Sequence, residues 1–119
     1  MRSNLSFINV YKKQSTKSKI VTQLLYGETF KKLKKVGSWI KIKNDTDSYK
    51  GYIKFKKFLP NQKNTHKVFD LSAKLYSKPN SKYKIKTKLS FGSKIKVLKK
   101  KGKYYKFDNL WIDKKNLKK

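Results

Sequence analysis

The sequence predicts an all-β fold of two small β-barrels in tandem, on three observations: an internal repeat, side chains that alternate with a period of two, and glycines that punctuate short apolar runs. The repeat carries most weight. Gly27 and Gly37 recur as Gly92 and Gly102, a shift of 65 residues. In the same ungapped register Tyr11 falls on Tyr76, Leu24 on Leu89, Tyr26 on Phe91, Phe30 on Ile95, Leu33 on Leu98, Trp39 on Tyr104 and Ile42 on Phe107. The first copy then carries an insertion, Asn44 to Lys50, after which Tyr52-Ile53 match Trp111-Ile112, so the second copy is six residues shorter there. Each copy spans about 50 residues, which sets the domains at 1–60 and 61–119 with a polar, proline-led linker over 60–66.

Taken in order, the segments read as strands. Phe30-Lys31-Lys32-Leu33-Lys34-Lys35-Val36 has a spacing of three that also fits an amphipathic helix, but its partner in the second copy argues for a bulged strand. Ile40 and Ile42 alternate with Lys41 and Lys43, which puts one face in a core and one in water, with Trp39 on the other side or at a rim. Tyr83, Ile85, Thr87 and Leu89 alternate with lysines, and Ile95 and Val97 continue the pattern after Gly92. Gly27, Gly37 and Gly51 are expected to supply turns with positive φ. Short strands between such turns build small barrels, whose closure removes sheet edges, and lysines on the outer faces keep them soluble.

Composition narrows the function. The net charge is +28, carried by Arg2 and otherwise by lysine alone, against six acids. Such a surface attracts polyanions such as nucleic acid, anionic wall polymers and acidic headgroups. Two readings of the charge stand, because the Lys, Asn, Ile and Tyr richness equally fits an AT-rich coding sequence, and base or phosphate readers favour arginine forks over lysine point charges. With no cysteine there is no disulfide, no thiolate nucleophile and no cysteine zinc site, and the single histidine, His66, is read as a linker residue and rules out a two-histidine metal site. No metal or cofactor is expected. The N-terminal residues contain no apolar run of signal-peptide length and no segment approaches a membrane span, so the expectation is a cytoplasmic protein with cell-envelope association open.

Val10-Tyr11, Gln23-Leu24-Leu25-Tyr26-Gly27-Glu28, Gly37-Ser38-Trp39 and Asp47-Ser48-Tyr49-Lys50-Gly51-Tyr52-Ile53 resemble the first bacterial SH3-like domain of NlpC-type cell-wall peptidases. Ser48 and Tyr52 depart from the Gly and Trp usual there. Thr65-His66-Lys67-Val68, Leu75-Tyr76-Ser77-Lys78-Pro79 and Trp111-Ile112 are similar to the second such domain. The resemblance implies SH3-like barrels and, since a chain without Cys cannot hold that family's nucleophile, a non-catalytic accessory or targeting module. A catalytic domain would then be missing by truncation or supplied in trans. It also implies that Glu28 and Tyr49 meet the free amine of a murein peptide, the carboxylate pairing with the ammonium and the phenol adding a hydrogen bond or a ring face.

Alternatives remain at each position. Glu28 also fits a turn residue offsetting lysines, and Tyr49 a rim residue that packs. Ser93 replaces Glu28 in the second copy, which therefore keeps the scaffold without the site. Trp39, Tyr52 and Trp111, with Tyr104 and Tyr105, form a candidate aromatic surface, although repeat-matched aromatics are more often core. Asp45 and Asp47 read as turn stabilisers rather than a catalytic pair. The competing function is a basic β-barrel protein that binds nucleic acid or other polyanions through lysines and exposed rings. An independent enzyme lacks an acid, base and nucleophile set.

Overall fold

The computed structural model describes residues 1–119 and is all-β, with two short 3₁₀ turns and no helix long and apolar enough to cross a membrane. The chain divides into two compact units, Met1–Asn61 and Gln62–Lys119. The first holds β1 (Phe7–Tyr11), β2 (Ile20–Leu25), β3 (Phe30–Val36), β4 (Trp39–Asn44) and β5 (Lys50–Lys54). The second holds β6 (His66–Val68), β7 (Ser72–Tyr76), β8 (Lys84–Ser90), β9 (Lys94–Ile95), β10 (Lys99–Lys101), β11 (Tyr104–Phe107), β12 (Leu110–Asp113) and β13 (Leu117–Lys118).

In the first unit the antiparallel order is β2-β1-β5-β4-β3. Alternation along β4 is complete, with Ile40, Ile42 and Asn44 buried and Trp39, Lys41 and Lys43 half-buried on the outer face. The inward residues Val10, Leu24, Phe30, Ile40, Ile42 and Ile53 form the core, with Ile8, Val21 and Phe58 packed on it. Phe58 meets Phe30 edge to face at 5.1 Å, a geometry that adds about 1 kcal/mol to the area buried. The spacing of three in β3 has its cause in a bulge: register shifts between Lys32 and Lys34, and Leu33, left without a partner, is exposed.

The main sheet of the second unit runs β10-β11-β12-β7-β8, the same order counted through its own strands, and β13-β6-β9 form a smaller sheet. The repeat reappears in the backbone bonds. Gly27 N donates to Ser3 O and Ser3 N to Glu28 O, both at 2.9 Å, and 65 residues on Gly92 N donates to Val68 O at 2.9 Å and Val68 N to Ser93 O at 2.8 Å. The isolated bridges of Arg2 to Thr29 and Leu59 become, in the second unit, the pairs of Lys67 with Lys94 and Lys118.

Four expectations need correction. Neither main sheet closes into a barrel: β2 and β3 are the outer strands of the first and are not paired with each other, and β8 and β10 are the outer strands of the second, so no ladder joins the two ends of either sheet. The edges β3 and β10 are strands rich in exposed lysine, which disfavours pairing with another chain. Gly27 (φ 80) and Gly37 (φ 60) do take the left-handed conformation, but Gly51 does not and lies buried inside β5. Tyr83 belongs to a 3₁₀ turn, Ser81–Tyr83, and Val97 lies between strands, so the alternation there covers Ile85 and Leu89 alone on the inner side.

His66 is the fourth correction, since it opens β6 opposite Ile95 instead of lying in a linker. Its ring packs edge-on to Tyr105 at 5.7 Å. Thr65 Oγ1 accepts from Val97 N at 3.0 Å and can give its own proton to His66 Nδ1 at 2.7 Å, which favours a neutral imidazole. Burial, then Lys119 and Lys100, hold its pKa below the usual 6.5. Because the unfolded chain takes up that proton first, stability is full above pH 6.5 and falls as the pH drops through the folded value. Thermal melts from pH 7.5 to 5 are expected to show a larger loss in the natural chain than in His66→Asn; parallel curves would refute the assignment.

Candidate ligand-binding hairpin

Three of the six acids of this basic chain, Glu28, Asp45 and Asp47, are drawn to one place by the loop that joins β4 to β5. Each accepts a hydrogen bond that ties that loop to itself or to the β2–β3 region. Asp47 Oδ1 accepts from Tyr49 N at 3.0 Å and Oδ2 from the hydroxyl of Thr22, while Asp45 Oδ2 accepts from Thr29 Oγ1 at 2.7 Å. Asn44 Oδ1 accepts from Thr46 N at 2.9 Å, and Asn44 O from Ser48 N at 2.8 Å. Side-chain oxygens that bond backbone two residues on are the chemistry of tight turns, as the Asn-Asp-Thr-Asp-Ser run implies.

Glu28 sits beneath this loop and is only 7% exposed. Its Oε1 accepts from Leu25 N at 2.7 Å, closing the turn at Gly27, and its Oε2 accepts from Thr46 Oγ1 at 2.8 Å. Both oxygens therefore hold protein donors, and the carboxylate clamps the β2–β3 turn to the β4–β5 loop. Ser93, its counterpart, is buried with a hydroxyl that has no hydrogen-bond partner, and no loop of this kind lies over it.

Tyr49 is held differently. Its N–H goes to Asp47 and its carbonyl accepts from Asn44 N at 2.9 Å, yet the side chain is 58% exposed. A fixed backbone with a solvent-facing phenol is a presented group. Ser48, one residue earlier, lies at φ 64, a conformation that costs a residue with a Cβ roughly 1–2 kcal/mol. Ser48→Gly is expected to raise the stability of the first unit by about 1 kcal/mol, read as slower hydrogen exchange at Ile42 and Ile53; no change would mean that the loop relaxes the strain elsewhere.

The candidate aromatic surface divides. Trp39 and Tyr52 share the outer face of the first sheet, where Tyr52 pairs with Tyr11 across β1 and β5 and Tyr11 meets Trp39 edge-on at 6.0 Å. Lys54 lies over the Trp39 ring at 5.7 Å and Lys41 over Tyr52 at 6.0 Å. Trp111, by contrast, is 8% exposed within the second core and forms no surface, and Tyr104 is buried against Tyr76. Two participants went unread in the sequence. Thr46 was hidden in the turn-forming run, and Tyr11 was visible as a repeat match and a motif residue but not as part of an aromatic surface. No group of acids and histidine is arranged to hold a metal ion.

Residues 4–60 match the family model of the Bacterial SH3 domain. No curated protein matches the chain in sequence. In three dimensions the chain is similar to a solved NlpC/P60 family protein from Bacillus cereus ATCC 10987, with a TM-score of 0.80 at 15% identity, over 98% of this chain and 55% of that one. The chain thus spans about half the length of that protein, and the likeness is one of fold. An all-β, SH3-like fold is what the match and the likeness have in common.

Proposed function

We propose that the chain is a non-catalytic accessory module of an NlpC-type cell-wall peptidase, made of two SH3-like domains in tandem, whose β4–β5 hairpin contacts the free amine of a murein peptide. The observation that carries the proposal is the exposed phenol of Tyr49 on a backbone pinned at both faces. The family match over residues 4–60 and the shared fold support the cell-wall setting, and the repeated backbone bonds support a second domain of the same kind. In this reading Tyr49 supplies the ligand contact. Glu28 acts as a positioning residue through Thr46, and its negative charge favours a nearby ammonium without a direct ion pair. The catalytic domain is the partner, in cis or in trans.

The test is an NMR titration of the chain with L-Ala-γ-D-Glu-diaminopimelate and with its N-acetylated form. Shifts centred on Tyr49 for the free amine alone, lost in Tyr49→Ala, are the expected result. Equal response to both peptides, or none, would overturn it. A second reading, polyanion binding, is favoured by the outer face that holds Tyr11, Trp39 and Tyr52 among lysines. It requires shifts on that face with short single-stranded DNA that fade as salt rises.

A further inference from the structure

Each unit contains a cleft, and the two clefts occupy the same place in the repeat. In the first unit a space of about 250 Å³ lies among Phe7 and Tyr11 of β1, Thr16 of the following loop, and Lys54, Lys56 and Phe58 at and beyond the end of β5. In the second a space of about 270 Å³ lies among Ser72, Tyr76, Ser81, Asp113 and Lys115. The shift of 65 carries Phe7 onto Ser72, Tyr11 onto Tyr76 and Thr16 onto Ser81, and the six-residue deletion then brings Lys54 onto Asp113 and Lys56 onto Lys115. A cleft that recurs at matched positions is a product of the fold. Its lining is what has diverged.

The divergence is chemical. In the second unit the cleft is polar, and the Asp113 carboxylate is engaged, with Lys103 at 3.7 Å and with Lys115 N at 3.0 Å. In the first unit the walls are the rings of Phe7 and Phe58, Lys54 stands where Asp113 would, and no acid lines the space. The loop that carries Thr16 is braced from within, since Ser18 Oγ donates to Ser15 O at 2.7 Å and Lys12 N to Lys19 O at 2.8 Å. A lining that joins apolar rings to two lysines and no acid, beside a braced loop, suits a ligand that is apolar along its length and anionic at its end. The volume falls just below that of common ligand sites, roughly 300 Å³ and above, which fits something the size of a dipeptide.

We infer that the first-unit cleft binds a short apolar peptide segment ending in a carboxylate, with side chains against Phe7 and Phe58 and the carboxylate on Lys54 and Lys56. The site lies at the end of β5 opposite to Tyr49 and does not depend on the hairpin reading. The test titrates the full chain with N-acetyl-leucyl-leucine and with its C-terminal amide, followed by NMR. The expected result is shifts at Phe7, Tyr11 and Thr16, about tenfold weaker binding of the amide, and a similar loss in Lys54→Asp, which installs the charge that the second unit carries there. Tyr49→Ala should leave this binding unchanged, which separates the two sites. Equal binding of acid and amide, an unaffected Lys54→Asp, an absence of shifts at millimolar peptide, or shifts spread over lysine faces that inorganic phosphate reproduces would each overturn the inference.

Discussion

Gly51→Ala is expected to cost the first unit at least about 3 kcal/mol, at the upper end of overpacking effects. A Cβ at Gly51 would stand 2.6 Å from Val10 Cγ1 and 2.7 Å from the carbonyl oxygen of Tyr11. The valine can rotate, but the carbonyl belongs to β1 and can yield only if that strand moves. β1 meets β5 through the single pair Tyr11 with Tyr52, so the ladder that joins the two halves of the sheet has little to lose before it parts. Gly37→Ala is the comparison, since a Cβ there meets nothing within 4 Å and only the left-handed φ of +60 resists it, at about 1 kcal/mol. Because two units need not unfold together, amide exchange at Val10, Ile53 and Ile42 is the appropriate measure, with Ile112 of the second unit as internal reference. Equal effects of the two substitutions would show that the close approach at Gly51 does not govern the sheet.

Glu28→Ala should cost about 2 kcal/mol, because it strips the acceptor from Leu25 N beside a carboxylate almost closed to water, while the exposed Thr46 hydroxyl can turn to solvent. A buried donor left without a partner costs roughly 1–3 kcal/mol. Glu28→Gln keeps a carbonyl for Leu25 N and offers an amide to the Thr46 hydroxyl, so it is expected to lose about 1 kcal/mol. Exchange at Leu25, Thr46 and Asn44 reads the clamp directly. If Glu28→Ala left those amides as slow as before, the carboxylate would not be holding the loop.

The same residue shows where the sequence stopped being legible. A glutamate after a turn glycine, amid lysines, reads as solvated or as waiting for an ammonium. What takes up its second oxygen is Thr46, eighteen residues on, in a loop whose own pattern announced only a turn. Tyr49 was legible as a hairpin residue, yet its exposure was not. Trp39 and Trp111 were read alike as repeat-marked aromatics, and only the surroundings separate the half-buried ring of the first sheet from the core ring of the second. Leu33 and Leu98, matched in the repeat and apolar, are both exposed, one at a bulge and one between strands, so a repeat match marks a shared backbone path and not a place in the core.

What the sequence determined by itself is whatever is local or periodic. The alternation of Ile40 and Ile42 with lysine set the inward face of β4, the positive φ of Gly27 and Gly37 followed from the turns they punctuate, and the repeat placed equivalent strands 65 residues apart up to the β4–β5 insertion. The tertiary structure alone decided that the sheets stay open, that Gly51 serves a close approach and not a turn, that His66 joins a strand, and that matched clefts carry opposite charges at Lys54 and Asp113. The physical reason is common to all four: each depends on which atom from far along the chain arrives within contact distance, and no periodicity of neighbouring residues encodes that arrival.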